Sequence, residues 1–421
     1  MKTHTAAELL ARRQRTLGAN YRLFYEEPFA PVRGAGVWLY DQAGTAFLDA
    51  YNNVASIGHC HPAVVRAIAE QSAQLNTHTR YLHPSIVDYA EDLLSEFPPP
   101  LDNLTMTCTG SEANDLALRI ARCHSGGTGI LVTRWAYHGV TSALAEVSPS
   151  LTTGLPTANH VRLVDAPDSY RQGTDFVASV KAAVADMQAH GIQPAALLVD
   201  NIFSSDGVFS PANGQLAAAA QCVRDAGGLY IADEVQTGFG RTGGQRWGFE
   251  HDTVVPDLVT LGKPMGNGHP VAGVVGRSAL FDQFGRQQRY FNTYGGNPVS
   301  CQAAHAVLRV LREEGLQANA REVGHYLKQG LLRLAERHEV IGDVRGEGLF
   351  IGIELVQNRA RQTPDTAAAA AVVNGMRRRQ VLISATGPQA NILKIRPPLV
   401  FAREHADLLL ERLDAALNDL R

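Results

Sequence analysis

Between about residue 60 and residue 275, short apolar runs alternate with stretches whose apolar positions recur at helical spacing. GILVTRW (129–135), AALLVD (195–200), LYIADE (229–234), DLVTLG (257–262) and VAGVVG (271–276) carry few polar interruptions, as strands buried on both faces do. Strands separated by helices predict βαβ units and a largely parallel sheet, so this part of the chain is expected to be α/β. Before it, GVWLYDQAGTAFLDA (36–50) reads as two strands joined by a turn at Asp41 to Gly44. After about residue 310, long helical stretches surround GEGLFIGIEL (346–355) and NILKIRPPLV (391–400). Neither flank has the material of a full domain. The expected division is a large domain over 60–310 and a small discontinuous α+β domain, assembled from 311–421 and part of the N-terminal segment 1–59. The first 17 residues, MKTHTAAELLARRQRTL, predict an amphipathic helix. The alanine runs 217–220 and 367–371 predict helix because alanine has the best helix propensity.

Composition narrows the classes of function. The chain has 421 residues, 45% of them hydrophobic, enough for a large core. Its 38 lysines and arginines against 41 aspartates and glutamates give a net charge of -3, so no broad basic face suits a nucleic-acid backbone. No apolar run approaches the roughly 20 residues of a membrane span, and the N-terminus lacks the apolar centre of a signal peptide. The five cysteines, Cys60, Cys108, Cys123, Cys222 and Cys301, form no CxxC pair, so neither a disulfide framework nor a zinc ribbon is expected. Together these features suit a cytoplasmic protein.

Candidate chemistry begins with DLVTLGKPMGNGHP (257–270), where Lys263 follows an apolar strand. Open parallel sheets place ligand crevices outside the C-terminal ends of their strands, which is where this lysine falls. A desolvated lysine near another positive charge has a lowered pKa, and its neutral amine can attack an aldehyde. The bland alternative is a surface lysine with a buried stem. Asp233, at the end of LYIADE, is a carboxylate that burial would penalise unless it met a cation, and a protonated pyridine nitrogen would serve. Pyridoxal phosphate (PLP) enzymes need this pair: a lysine for the aldehyde, and a carboxylate that keeps the ring protonated as an electron sink. A phosphate seat is offered by CTGSEANDLALRIAR (108–122). Thr109 and Glu112 match the T-x-x-E capping box, Gly110 permits close approach of the backbone, and a helix from Asn114 onward would present free N–H groups. Tyr137 in WAYHG (135–139) could stack on a flat cofactor, or simply pack.

Two decoys are set aside. Gly238, Gly240 and Gly243 satisfy GxGxxG, but four residues separate them from the strand, and the carboxylates precede the motif where a dinucleotide site wants one about 20 residues later. His59, Cys60 and His61 in GHCHP lack a second paired cluster at ligand spacing, so no metal is expected there.

Taken together, IADEVQTGFGRTG, TLGKPMGNG, TGSEAND and FNTYGGNPVSC (291–301) resemble the class III aminotransferase family of fold type I PLP enzymes over nearly the whole chain. The resemblance implies a homodimer with active sites at the subunit interface. It implies that Lys263 forms the Schiff base with the cofactor, Asp233 pairs with the pyridine nitrogen, and Gln236 approaches the ring's phenolic oxygen. Val235 would back the ring, Tyr137 cover its other face, Gly110 and Ser111 hold the phosphate, and Thr293 reach the phosphate of the neighbouring subunit. YNNVASIGHCHP, RYLHPSIVDYAEDL, GKPMGNGHPVA, YFNTYGGNPVSC and LKIRPPLVF look more like the ethanolamine-phosphate phospho-lyase branch than like ordinary ω-aminotransferases. Where many family members carry an arginine that grips a substrate carboxylate, Lys394 stands here, a point charge better matched to a phosphate. In DNIFSSDG (200–207), Asp200 replaces a glutamate of the family motif and Ser205 replaces the gating glutamate of enzymes that alternate between two substrates. Arg22, in the segment that folds over the substrate entrance in this family, is a second candidate cation or a plain surface arginine. These departures favour elimination of phosphate from a small phosphorylated or phosphonate-bearing primary amine, with ω-aminotransfer to an oxo acid as the alternative. A PLP-fold binding or regulatory module is a third reading, against which every catalytic position carries a competent residue.

Overall fold

The computed structural model describes residues 5–151, 156–171 and 175–420. Its centre is a seven-stranded sheet. In chain order the strands are β1 (Asn103–Thr107), β2 (Gly129–Thr133), β3 (Val161–Val164), β4 (Pro194–Asp200), β5 (Leu229–Asp233), β6 (Leu258–Leu261) and β7 (Ala272–Gly276). In space the order is β1-β7-β6-β5-β4-β2-β3. The pairs β2–β3, β2–β4, β4–β5 and β5–β6 are parallel. Strand β7 runs antiparallel to both its neighbours, β6 and β1. The reason is local: only the turn 262–271 separates β6 from β7, too short for the crossover that a parallel return requires.

Strands β1 and β3 carry no clear strand pattern in the sequence because they form the two edges, where NLTMT and VRLV mix polar with apolar positions and are partly exposed. The central strands are buried along almost their whole length, and alternate side chains serve opposite faces. Ile130, Val132, Leu198 and Ile231 join the core under the helix Gly110–Ser125, while Leu131, Leu197, Val199 and Tyr230 join the larger core on the other side.

The chain's two ends meet in one of the two remaining sheets. Arg33–Ala35, Trp38–Tyr40 and Ala46–Asp49 form an antiparallel set, and Val381–Leu382 pairs in parallel with the last of them. A second sheet orders Ile341–Glu347, Phe350–Asn358, Ile392–Ile395 and Ser384–Thr386. The alanine runs lie in the helices Gln215–Asp225 and Thr366–Arg378. The N-terminal helix Ala6–Leu17 is closed by a capping box of Thr5 and Glu8 and buries none of its residues. Among the described residues no helix is long and apolar enough to cross a membrane.

Candidate active site

The cavity of interest lies at the C-terminal ends of β4, β5 and β6, the edge that parallel-sheet topology leaves open for ligands. Asp200 and Asp233 end β4 and β5 and stand opposite each other in register. Lys263 comes two residues after β6. Gly110, Ser111, Asn114, Tyr137, His138, Gly139, Val235 and Gln236 complete the lining.

Asp233 is 4% exposed and held on both oxygens. Oδ2 accepts from Asn114 Nδ2 at 2.9 Å and from His138 Nδ1 at 2.7 Å, and Oδ1 accepts from the Val235 amide at 3.1 Å. An ionised carboxylate only accepts, so His138 must carry its proton on Nδ1. Asn114 is itself fixed: Nδ2 also donates to the His138 carbonyl at 2.8 Å, and Oδ1 accepts from Thr260 at 2.7 Å. Next along the chain, Glu234 is fully buried and accepts from Asn201, Thr237, Gly248 N and Phe249 N at 2.6–2.8 Å. Burial nevertheless pushes its pKa up to about 7.

The helix Gly110–Ser125 points its N-terminus at this cavity. Thr109 caps it, its hydroxyl accepting from the Glu112 amide at 3.1 Å. The other half of the expected capping box is absent. The Glu112 carboxylate reaches past Thr109 to the Cys108 amide at 2.7 Å, and to Asn292 Nδ2 at 3.3 Å. The helix also starts at Gly110, four residues before the expected apolar onset at Asn114. A Cβ on Gly110 would lie 2.9 Å from Val235 Cγ2, and one on Gly139, whose φ is +141°, 2.6 Å from Ser111 Oγ. Glycine at both positions keeps the wall thin beside the helix N-terminus, where free N–H groups and the Ser111 hydroxyl suit an anion. Carboxylate, lysine and anion seat thus match the parts of PLP, and the group fits the residues present.

Lys263 is lowered from its ordinary pKa, by burial first and then by Arg396, against the opposing pull of Asp233 and Asp200. Its amine therefore tends toward the neutral, nucleophilic form. Asp200 is shifted upward by burial and by Asp233, and its oxygens accept from the Ile202 amide and from both the amide and the hydroxyl of Ser204. Gln236 is engaged away from the sheet: Nε2 donates to Ser204 Oγ at 2.7 Å, and Oε1 accepts from Arg396 Nη1.

The candidate cations separate into three surroundings. Lys394 is buried, and its Nζ donates to the Ser204 carbonyl at 3.3 Å. Burial, then Arg396, holds its pKa well below the ordinary value. Arg396, just past the end of the strand Ile392–Ile395, contacts Asn53 Oδ1 at 3.3 Å and lies 5.0 Å from the Tyr51 ring, besides its bond to Gln236. Arg22 is exposed and lies outside the cavity lining. Thr293 is also exposed, beside Asn292 and Tyr294 in a different surface hollow, away from the cavity of its own chain.

Sequence reasoning passed over Arg396, His138 and Asn114. The alternation Lys394-x-Arg396 was the available signal for the first, and His138 stands in the same WAYHG motif as Tyr137. Asn114 offered none, since its partners come from β5, β6 and the 138 turn. Gly238, Gly240 and Gly243 fall in the loop between β5 and the short helix Gly248–His251, with no long helix after them. His59 bonds Asp49 at 2.7 Å, and His61 caps the helix Pro62–Ser72.

Comparison with known proteins agrees with this geometry. The chain is 43% identical to an alanine–glyoxylate aminotransferase 2-like protein of Drosophila melanogaster, over 96% of this chain and 85% of that one. It is 38% identical to ethanolamine-phosphate phospho-lyase homolog 1 of Caenorhabditis elegans, over 98% and 93%. The solved structure of a phospholyase from Arthrobacter in complex with phosphoethanolamine superposes with a TM-score of 0.95 at 47% identity, covering 98% of this chain and all of that one. Since the profile of the family described as Aminotransferase class-III matches residues 24–417, the chain belongs to the class III aminotransferases and is a PLP-dependent enzyme.

Proposed function

We propose that this enzyme eliminates phosphate from a small phosphorylated primary amine, releasing an aldehyde, ammonia and phosphate. The observation that carries the reading is the buried pair Lys394 and Arg396, the first bonded to Ser204 and the second to Gln236, with Ser205, next to Ser204, standing where the family has a gating glutamate. A buried guanidinium at Arg396 with a basic amine at Lys394 beside it is costly without an anion to meet it, and a phosphate dianion meets it better than a carboxylate does. The phosphoethanolamine in the Arthrobacter phospholyase and the name of the nematode relative support the same substrate class.

In this reading Asp233 would hold the ring nitrogen of PLP, Gly110 and Ser111 its phosphate, and Val235 and Tyr137 its two faces. Thr293 of a second copy would complete the phosphate seat, which makes the working unit a homodimer. When bound, PLP supplies an aldehyde for the substrate amine and a ring that accepts the electron pair left on the amine-bearing carbon. Lys263, whose pKa is lowered by burial and by Arg396, removes the proton from that carbon. Arg396 faces the leaving phosphate, with Lys394 bracing the Ser204 carbonyl and Arg22 as a further candidate at the entrance. The carbon–oxygen bond to phosphate breaks, and water then releases the aldehyde and ammonia.

Aminotransfer remains the second reading, because the fly relative bears an aminotransferase name. Phosphate release from O-phosphoethanolamine by the PLP-loaded protein, with no oxo acid present, separates the two. Many turnovers per site are expected. Release that requires an oxo acid, or none at all, overturns elimination of this substrate.

A further inference from the structure

The turn that carries Lys263 is rich in glycine and proline, GKPMGNGHP, and its backbone closes on itself through three local bonds. Met265 N donates to Gly262 O at 2.8 Å, Asn267 N to Pro264 O at 3.2 Å, and His269 N to Gly266 O at 2.9 Å. At its far end His269 Nε2 meets Ser300 Oγ at 3.0 Å and Ser300 Oγ donates to the Pro270 carbonyl at 3.1 Å, while toward residues 50–58 the tie is the Asn267 side chain. Its Oδ1 accepts from the Ile57 amide at 3.0 Å and its Nδ2 donates to the Gly58 carbonyl at 2.8 Å, a two-point grip on a segment about 210 residues away in sequence. Ser56 Oγ adds a third bond, to the Pro264 carbonyl at 3.1 Å, one residue from the lysine. Asn267 sits at φ +49°, a left-handed backbone that asparagine tolerates better than most residues.

The segment so gripped is also the floor under Arg396. The Arg396 amide donates to Ala50 O at 2.9 Å, its guanidinium reaches Asn53 Oδ1 at 3.3 Å, and Leu399 N donates to Ser56 O at 2.6 Å. Residues 50–58 therefore touch the lysine turn with one end and the arginine with the other.

We propose that Asn267, assisted by Ser56, is a positioning residue: it fixes the Lys263 turn against residues 50–58 and so sets the separation between the lysine amine and the Arg396 guanidinium. The inference rests on the proposed roles of those two residues. A base and a leaving-group anchor on opposite sides of one small substrate must keep their spacing, because a misplacement of about 1 Å can cost roughly 100-fold in rate. The lysine side chain is long and flexible, so the spacing has to be held by its backbone. The same spacing sets the electrostatics, since Arg396 disfavours charge on Lys263, while Asp233 and Asp200 favour it.

The test is Asn267→Gly, which keeps the left-handed backbone and removes the grip. In the PLP-loaded variant, with no substrate present, the pH midpoint of the visible absorbance is expected to rise by about half a unit or more, as charge on the lysine nitrogen becomes less opposed. With substrate, kcat falls about tenfold and KM stays within about twofold. Ser56→Ala gives the same changes at smaller size, and Asn267→Asp, which retains the acceptor for Ile57 N, an intermediate result. A midpoint unchanged in folded Asn267→Gly overturns the proposal, whatever happens to thermal stability. Should that variant not fold, an unchanged midpoint in both Ser56→Ala and Asn267→Asp overturns it equally. The absorbance is read without substrate, so this outcome is separable from failure of the phospho-lyase reading, which shows itself in phosphate release.

Discussion

Asp233 and Arg396 are both charged and both more than nine-tenths buried, Asp233 in the cavity lining and Arg396 behind the lining residue Gln236, yet their surroundings differ. Both oxygens of Asp233 accept bonds from groups that are themselves held, and the next residue, Glu234, pins the loop behind it with four more. Arg396 bonds Gln236 and Tyr51, makes a longer contact to Asn53, and keeps a buried Nε with no acceptor. The carboxylate end is satisfied by the protein alone. At the cationic end donors exceed acceptors, and that imbalance suits an anionic substrate group.

The largest effect expected from probing this contrast is at the lysine between the two ends. Lys263→Ala should lower turnover by about 10⁴-fold, the upper range for loss of a general base. It should also abolish covalent retention of the cofactor after borohydride reduction, measured by mass. Unchanged function in the variant would favour the binding-module reading.

At the cationic end, Arg396→Ala should reduce kcat/KM for O-phosphoethanolamine by about 10³-fold, since truncating a buried charged contact costs roughly 2–5 kcal/mol. Lys394→Ala, whose amine is committed to the Ser204 carbonyl, should cost only about tenfold, near the net value of one charged hydrogen bond. Equal losses with an unphosphorylated amine would remove Arg396 from the phosphate subsite. A larger loss for Lys394→Ala would reverse the assignment of the two cations.

The frame behind Asp233 is exposed by pH. The folded-state pKa of Glu234 is raised to about 7 from 4.5, so the folded chain keeps a proton that the unfolded chain releases. Its contribution to stability is fully present below about pH 4.5 and is lost as pH rises to 7, by about 3 kcal/mol in total. Urea unfolding should therefore show wild type losing stability relative to Glu234→Gln between pH 4.5 and 7, whatever constant cost the lost acceptors impose. Parallel curves would mean that Glu234 does not titrate in this range.

Smallest is the anion seat. Ser111→Ala removes one hydroxyl among several helix N–H groups and should weaken cofactor retention by about fivefold, near 1 kcal/mol. A variant that holds PLP as tightly as the parent would show that the backbone alone suffices.

Much of the carboxylate end is legible in the sequence, because its pieces sit at the ends of strands with strong local patterns. Lys263, Asp233, Gly110, Ser111, Tyr137, Val235 and Gln236 are each marked by a strand end or a family motif, and all seven line one cavity. The cationic end is less legible. Lys394 stands out as a departure from a family motif, while Arg396, two residues away, makes the bond to Gln236. Gln236 itself, assigned to the cofactor ring by resemblance, here bonds Ser204 and Arg396. Nor do the edge strands or the antiparallel β7 show in the chain's pattern, since an edge needs no continuous apolar run and direction depends on what the connection can span.

The sequence by itself determined the class of fold and the chemistry of the open sheet edge, because buried strands, strand-end charges and a glycine-bearing helix start are each local in the chain. Tertiary structure alone decided which charges meet. Asn267 grips residues 57 and 58, Arg396 reaches residues 53 and 236, and Asp233 is held from residues 114 and 138. A hydrogen bond depends on distances of a few tenths of an ångström, and distances between remote segments are set by how whole elements pack, which no local pattern encodes.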